Sequence, residues 1–250
     1  MVKVSVVIPA YNEEKLIERC LKSLSHQTMN RSNYEVIVVN NNSSDKTAQI
    51  AQKYADKVIL EKRKGVLFAR QTGLIKAKSQ IILRTDADGY VPNNWVKRGY
   101  QNLVKNPDYV AFSGFYLPDN EKKTLKLISQ FAINFRKLLY SLGGKTEWLT
   151  GSCSAIRKEA FLKIGGYDFK ADPVIEDQQG IGHRLAKLGK IGFDANWWVW
   201  YSPRRFNHAV NNKIDLFNDY LLYQTLNNLY YFIFKKNPKK VLGKWQDIRE

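Results

Sequence analysis

The sequence predicts an α/β protein: a largely parallel sheet with helices on its faces. Three observations lead there. First, across the amino-terminal third short β-branched runs alternate with amphipathic stretches, the rhythm of strand-crossover-strand units. Second, a polar cluster follows each of three such strands: Pro9 to Glu13, Asn40 to Asp45, and Asp86 to Asp88. Ligands of open α/β sheets bind beyond the carboxyl ends of the strands, so one crevice can collect all three clusters. Third, 250 residues with 44% apolar and 25% charged side chains suffice for a sizeable core. That composition excludes a disordered chain, a collagen-like repeat and a disulfide-stapled miniprotein.

The elements follow in order. Lys3 to Ile8 reads as a buried strand, and Asn12 is placed to cap the helix after it, with Glu13 and Glu14 at its positive end. Leu16, Ile17, Cys20, Leu21 and Leu24 make that helix's apolar stripe. Glu35 to Val39 is a second strand, and Ser43 or Ser44 can cap a helix through Asp45 to Ala55. Val58 to Leu60 is a third strand, Val66 to Ala77 a helix, and Gln80 to Leu83 a fourth strand. The second half is less regular. Tyr109 to Ser113, Ser154 to Ile156 and Ile191 to Phe193 read as strands. Thr124 to Leu142, Lys158 to Ile164 and Ile175 to Leu188 read as helices, each followed by glycine. An aromatic run from Trp197, Trp198, Trp200 and Tyr201 to Phe234, followed by Lys235, Lys236, Lys239, Lys240 and Lys244, reads as a basic amphipathic helix that either lies on an anionic membrane surface or packs on the core or a second subunit. The expected division is a catalytic-type domain over 1–210 and a helical extension over 211–250.

The net charge of +17 calls for anionic partners. Nucleotide phosphates, nucleic acid and anionic lipid heads are the candidates. The lysines are spread from Lys3 to Lys244 with no nucleic-acid motif, so no nucleic acid is expected. No apolar run reaches the roughly 18 residues of a membrane span, and Leu221 to Phe234 is interrupted by Gln224, Asn227 and Asn228. With two cysteines, Cys20 and Cys153, and no secretory signal, the expectation is a cytoplasmic protein with reduced thiols, whose tail can lie on an anionic membrane face.

Asp86-Ala87-Asp88 closes the fourth strand. In an extended segment residues i and i+2 share a face, and two such carboxylates suit a hard divalent cation that keeps positions open for phosphate oxygens. A plain turn, with Gly89 following, is the simpler alternative.

Five segments then fall in an order with a known counterpart. Val4-Ser5-Val6-Val7-Ile8-Pro9-Ala10-Tyr11-Asn12-Glu13 resembles the opening strand of the inverting, GT-A-fold nucleotide-sugar glycosyltransferases of family 2. Val38-Val39-Asn40-Asn41-Asn42-Ser43-Ser44-Asp45-Lys46-Thr47 resembles their second-strand motif V-D-x-x-S-x-D-x-T. Ala69-Arg70-Gln71-Thr72-Gly73, Thr85-Asp86-Ala87-Asp88, and Gly165-Gly166-Tyr167-Asp168 with Glu176-Asp177 resemble the A-R-N-x-G, metal and G-G-[FY]-[DE]…E-D motifs.

The resemblance implies a GT-A-like, Rossmann-like nucleotide-binding mixed sheet flanked by helices, with a carboxyl-terminal helical extension. It implies inverting, metal-dependent sugar transfer from a nucleotide-diphosphate donor, with UDP-sugar the first expectation, to a hydroxyl of a glycan or lipid-linked acceptor. Pro9, Ala10, Tyr11, Glu13, Asn40, Asn42, Arg70, Asp86, Ala87 and Arg204 would contact the donor. Asp88 and Asp86 would hold Mn²⁺ or Mg²⁺, and Asp177 would be the catalytic base. Trp148, Gly151 and Glu176 would lie on the acceptor side. Asn40 departs from the family's usual aspartate, and its amide both donates and accepts, which leaves the donor base open. His208 is a further metal-ligand candidate, and Arg205 a second guanidinium for the diphosphate beside Arg204. The alternative class is a non-catalytic basic protein binding nucleic acid or a membrane surface.

Overall fold

A computed structural model describes residues 2–119, 134, 148–173 and 176–202. The long helix expected over Thr124 to Leu142, the tail from 203 onward, and with it Arg204, Arg205 and His208, lie outside the described residues.

Strands β1 (Val4–Ala10), β2 (Tyr34–Asn40), β3 (Lys57–Leu60) and β4 (Ile81–Arg84) form the parallel half of one eight-stranded sheet. The remaining strands are β5 (Gly89–Tyr90), β6 (Tyr109–Pro118), β7 (Ser154–Arg157) and β8 (Lys190–Tyr201). The order across the sheet is β3-β2-β1-β4-β7-β6-β8-β5. β1 pairs in parallel with β2, from Val4 opposite Tyr34 to Ala10 opposite Asn40. On its other side it pairs in parallel with β4. β7 runs antiparallel to both β4 and β6, which makes the sheet mixed. β6 and β8 are parallel, with irregular register between Ser113 and Phe115.

Helices α1 (Ile17–Ser25) and α4 (Trp95–Val104) cover one face, where Val4, Val6, Ile8, Val36, Val38 and Leu83 join Ile17, Leu21, Leu24 and Trp95 in one buried cluster. Helix α3 (Val66–Lys76) and the helix Ile181–Ala186 cover the other, over Val7, Ile37, Val39 and Ile82. Burial on both faces is why the parallel strands read as continuous apolar runs rather than alternating ones. Gly73 lets α3 approach: a Cβ there would lie 2.3 Å from Val7 Cγ1.

Several local expectations are corrected. Asn12 does not cap α1. It sits at φ 52°, and its Oδ1 accepts from the backbone N–H of Ser44, on the neighbouring loop. Ser43 and Ser44 do not cap α2 (Thr47–Gln52) either: Ser43 Oγ accepts from Asn12 N at 3.0 Å, and Asp45 Oδ1 accepts from Thr47 N at 2.9 Å. These side chains tie two loops together instead of finishing one helix each. The aromatic segment Trp197 to Tyr201 is strand, not helix, and β8 runs past Phe193 to Tyr201. Aromatic residues are favoured on a pleated, half-buried surface, and Trp197 packs at 5.2 Å on Trp95. Glu176–Gly180 is a π-helical turn, and a regular helix follows only from Ile181 to Ala186. Asp86 to Gly89 is a turn rather than an extension of β4, with Gly89 N donating to Asp86 O at 3.3 Å.

Candidate active site

The strand order reverses direction at β1 and β4, and the loops leaving their carboxyl ends stand where open α/β sheets bind ligands. The loops after β1 and β2 are interlocked. Besides the Asn12 bonds, Glu13 N donates to Thr47 Oγ1 at 2.7 Å, Glu14 N to Asp45 Oδ2 at 3.0 Å, and Lys46 N to Glu14 Oε2 at 3.1 Å. Ala10 O accepts from Asn41 N. The β2 loop is tied onward: Asn41 accepts from Gly65 N and donates to the carbonyls of Glu61 and Arg63. Pro9, Ala10, Glu13 and Asn40 are therefore held by backbone pairing. Tyr11 is 44% exposed, a ring face open to stacking. Asn42 is exposed at φ 62°. The side-chain carbonyl of the buried Asn40 already accepts from Ser43 N at 3.0 Å.

Deeper in, four charged side chains meet. Arg70, on α3, is 4% exposed. Its Nη1 donates to both carboxylate oxygens of Asp177, at 2.7 and 2.6 Å, and to Gly151 O at 2.9 Å. Its Nη2 donates to Asp86 Oδ1 at 2.6 Å. Arg84, the last residue of β4, donates to Asp177 Oδ1 at 3.0 Å and from Nε to Ser154 Oγ at 2.7 Å. Tyr167 OH accepts from Arg84 and donates to Asp177 Oδ1 at 3.2 Å. Burial opposes the charge on Arg70, but the carboxylates of Asp177 and Asp86 more than offset it and raise its pKa. Burial pushes the Tyr167 hydroxyl up to about 12, so it stays a donor through the physiological range.

Asp88 is buried, and its carbonyl accepts from Ser202 N. Burial raises the Cys20 thiol pKa, and the charges of Asp88 and Asp86 add to it. Cys20 Sγ itself reaches Asp86 O at 3.5 Å. Among the described residues no group of three His, Cys, Asp or Glu is arranged around a cation position. Two carboxylates within one turn, one of them partly exposed at 28% of its side chain, are oxygen donors of the kind a hard divalent cation takes, and Asp86 and Asp88 would hold it. Ala87 between them is buried.

Of the residues expected on the acceptor side, Gly151 is pressed against the ion pair: a Cβ there would lie 2.2 Å from Asp177 Oδ2. Trp148 Nε1 donates to Gln178 Oε1 at 2.9 Å, beside Asp177 in sequence. Glu176 is fully buried, and both its oxygens accept from Arg184, at 2.9 and 2.5 Å, while Oε1 also accepts from Asp168 N. That geometry makes Glu176 a brace for the loop that carries Tyr167. Arg84 was not among the residues the sequence pointed to, and Tyr167 stood in the G-G-[FY]-[DE] motif with no role given to it. The available signal was an arginine ending the apolar strand Ile81-Ile82-Leu83, since a buried cation needs a partner.

The loops after β1 and β2 are thus bonded to each other, and residues of α3, β4 and the Glu176 turn meet in one buried ion-pair cluster with Asp86. The family model described as Glycosyl transferase family 2 matches residues 5–165. The chain belongs to glycosyl transferase family 2. Among its relatives, a probable glycosyltransferase of Bacillus subtilis, YdaM, is 31% identical over 230 residues, covering 81% of this chain and 53% of that protein. The poly(ribitol-phosphate) beta-N-acetylglucosaminyltransferase TarS of Staphylococcus aureus is 35% identical over 103 residues, 39% of this chain and 18% of the relative. The chain thus spans at most about half the length of these family 2 relatives.

Solved family folds agree. TarS in complex with UDP-GlcNAc superposes with a TM-score of 0.63 at 20% identity, covering 80% of this chain and 58% of that one. A mannosyltransferase of Pyrobaculum calidifontis, solved with GDP-Man and Mn²⁺, superposes with a TM-score of 0.61 at 21% identity over 79% of this chain and 56% of that one. The fold is therefore GT-A. Among the described residues no helix is long and apolar enough to cross a membrane.

Proposed function

We propose that this glycosyltransferase moves a sugar from a nucleoside-diphosphate donor, UDP-linked first, to a hydroxyl of a glycan or lipid-linked acceptor, in one inverting displacement. The observation that carries the reading is the buried contact joining Asp86, Arg70 and Asp177. It brings the carboxylate proposed for the donor side within one guanidinium of the carboxylate proposed as base. Relatives that use such donors support it: TarS was solved with UDP-GlcNAc.

The chemistry follows from that layout. The acceptor hydroxyl gives its proton to Asp177 as its oxygen bonds to the anomeric carbon. The bond from that carbon to the diphosphate oxygen breaks, and the nucleoside diphosphate leaves with the electron pair. No covalent intermediate is needed. Tyr11 offers a stacking face for the base, while Pro9, Ala10, Glu13, Asn40 and Asn42 line the nucleotide crevice. Asp86 and Asp88 would hold Mn²⁺ or Mg²⁺, which when bound supplies positive charge to the departing diphosphate. Arg70 sets the spacing between the two halves of the site.

A thermal-shift panel of UDP, GDP, CDP and dTDP, each with and without Mn²⁺, tests the reading. A ligand at 100 times its Kd adds about 2.7 kcal/mol of stability. The expected result is a Mn²⁺-dependent shift with one diphosphate. No shift with any of them overturns the proposal.

A further inference from the structure

We propose that Arg84 and Tyr167 are positioning residues for Asp177: they anchor its Oδ1 and leave Oδ2 to take the acceptor's proton. The inference rests on the reading of Asp177 as the base.

The two carboxylate oxygens are treated differently. Oδ1 accepts from three groups, Arg70 Nη1 at 2.7 Å, Arg84 Nη1 at 3.0 Å and Tyr167 OH at 3.2 Å. Among the described residues Oδ2 accepts from Arg70 Nη1 alone, at 2.6 Å. A carboxylate oxygen has about two lone-pair sites. Oδ1 is fully subscribed, and Oδ2 keeps a site.

The anchors cannot drift. Arg84 is 1% exposed and is held at its far side by Ser154 Oγ. Tyr167 is fixed by its backbone N–H to Gln71 Oε1 at 3.0 Å and by its ring edge on Phe161 at 5.6 Å. Its hydroxyl closes a triangle, accepting from Arg84 and donating to Asp177. Rotation of the Asp177 carboxylate would break the bonds of Oδ1 to Arg70, Arg84 and Tyr167 together. On the other oxygen's side stands Gly151, where any side chain would press on Oδ2 from 2.2 Å. Oδ1 is tethered by three groups, and Oδ2 lies against the bare backbone of Gly151 with Arg70 as its one donor among the described residues. In the transfer step the acceptor O–H bond breaks, its proton bonds to Oδ2, and Arg84 and Tyr167 hold Oδ1 throughout.

Tyr167→Phe keeps the ring and removes only the hydroxyl, and Arg84→Lys keeps the charge and removes the fork. Two readouts apply to both. The first is nucleoside-diphosphate release from UDP-GlcNAc, UDP-glucose and GDP-mannose with Mn²⁺. For Tyr167→Phe the expected kcat falls about tenfold while KM for the donor stays within about twofold, since the ground-state donor is not touched. The second is a crystal structure of each variant, in which the Asp177 carboxylate is expected to rotate. Unchanged kcat together with an unmoved carboxylate overturns the proposal. If the wild-type protein releases nothing from any donor, the transferase reading fails instead. The pose of Asp177 in Tyr167→Phe still decides the anchoring: rotated supports it, and unmoved overturns it.

Discussion

Asp177→Asn changes one atom and removes one charge from a buried group. In the native site Arg70, 4% exposed, and Arg84, 1% exposed, both donate to Asp177, whose side chain is 9% exposed, and Asp86 balances the second positive charge. The amide has the same volume, so no cavity forms, and its Oδ1 can still accept. What is lost is the compensation of two guanidiniums out of water. Breaking a buried pair by altering one partner costs about 3–5 kcal/mol. Because one acceptor survives, the lower end applies, about 3 kcal/mol, out of the ~5–15 kcal/mol typical of a domain. Urea unfolding at neutral pH checks this. With an m-value near 3 kcal/mol/M the midpoint drops by about 1 M at unchanged m. Turnover is expected to fall about 10²- to 10⁴-fold, the usual contribution of a positioned base, with nucleotide affinity retained. A stability change under about 1 kcal/mol, or wild-type kcat, would refute the reasoning that this carboxylate carries both the charge balance and the proton transfer.

Other expectations follow from single contacts. Gly73→Ala places a methyl group 2.3 Å from Val7 Cγ1 and 3.0 Å from Val39 Cγ2, so thermal unfolding should show a loss of about 1–3 kcal/mol from overpacking. Gly151→Ala puts its methyl group against Asp177 Oδ2, and the expected signature is lower kcat with donor KM nearly unchanged. Glu61 is held down to about 2 from an ordinary 4.5, first by the Arg63 guanidinium and then by Thr72, against burial. Its folded pKa is below its unfolded one, so its contribution is present above about pH 4.5 and lost as the pH falls toward 2. In acid titrations followed by circular dichroism, Glu61→Gln should lack that increment; identical acid curves would count against the pairing.

The parallel half of the fold was legible because its strands are buried on both faces and spell themselves as Val and Ile runs, with glycine and polar residues between. Strands β1 to β4 fall within a residue or two of where the sequence puts them. Asn12, Ser43 and Ser44 were misread because a capping rule sees only one helix, whereas these side chains bond across about thirty residues of chain. Trp197 to Tyr201 was misread for a related reason. Aromatic clusters fit a helix face or a strand, and only pairing with β6 decides. The buried contact of Arg70 with Asp86 and Asp177 joins residues that their motifs had singled out. Arg84 lay outside the motifs, since the partner that explains it is 93 residues away, and the hydroxyl bond of Tyr167 to Asp177 could not be read from the motif it stands in. The turn at Asp86 to Gly89 also shows that two carboxylates two residues apart can be gathered by a turn as well as by a strand.

A nucleoside diphosphate and a divalent cation are expected to bind together over Asp86 and Asp88. Titration calorimetry of UDP into the wild-type protein and into Asp88→Ala, with Mn²⁺ and with a chelator, addresses it most directly, with GDP run in parallel. The account predicts binding to the wild type only when Mn²⁺ is present, and none to Asp88→Ala in either condition. Binding of equal strength with and without the metal, or undiminished Mn²⁺-dependent binding to Asp88→Ala, would contradict it.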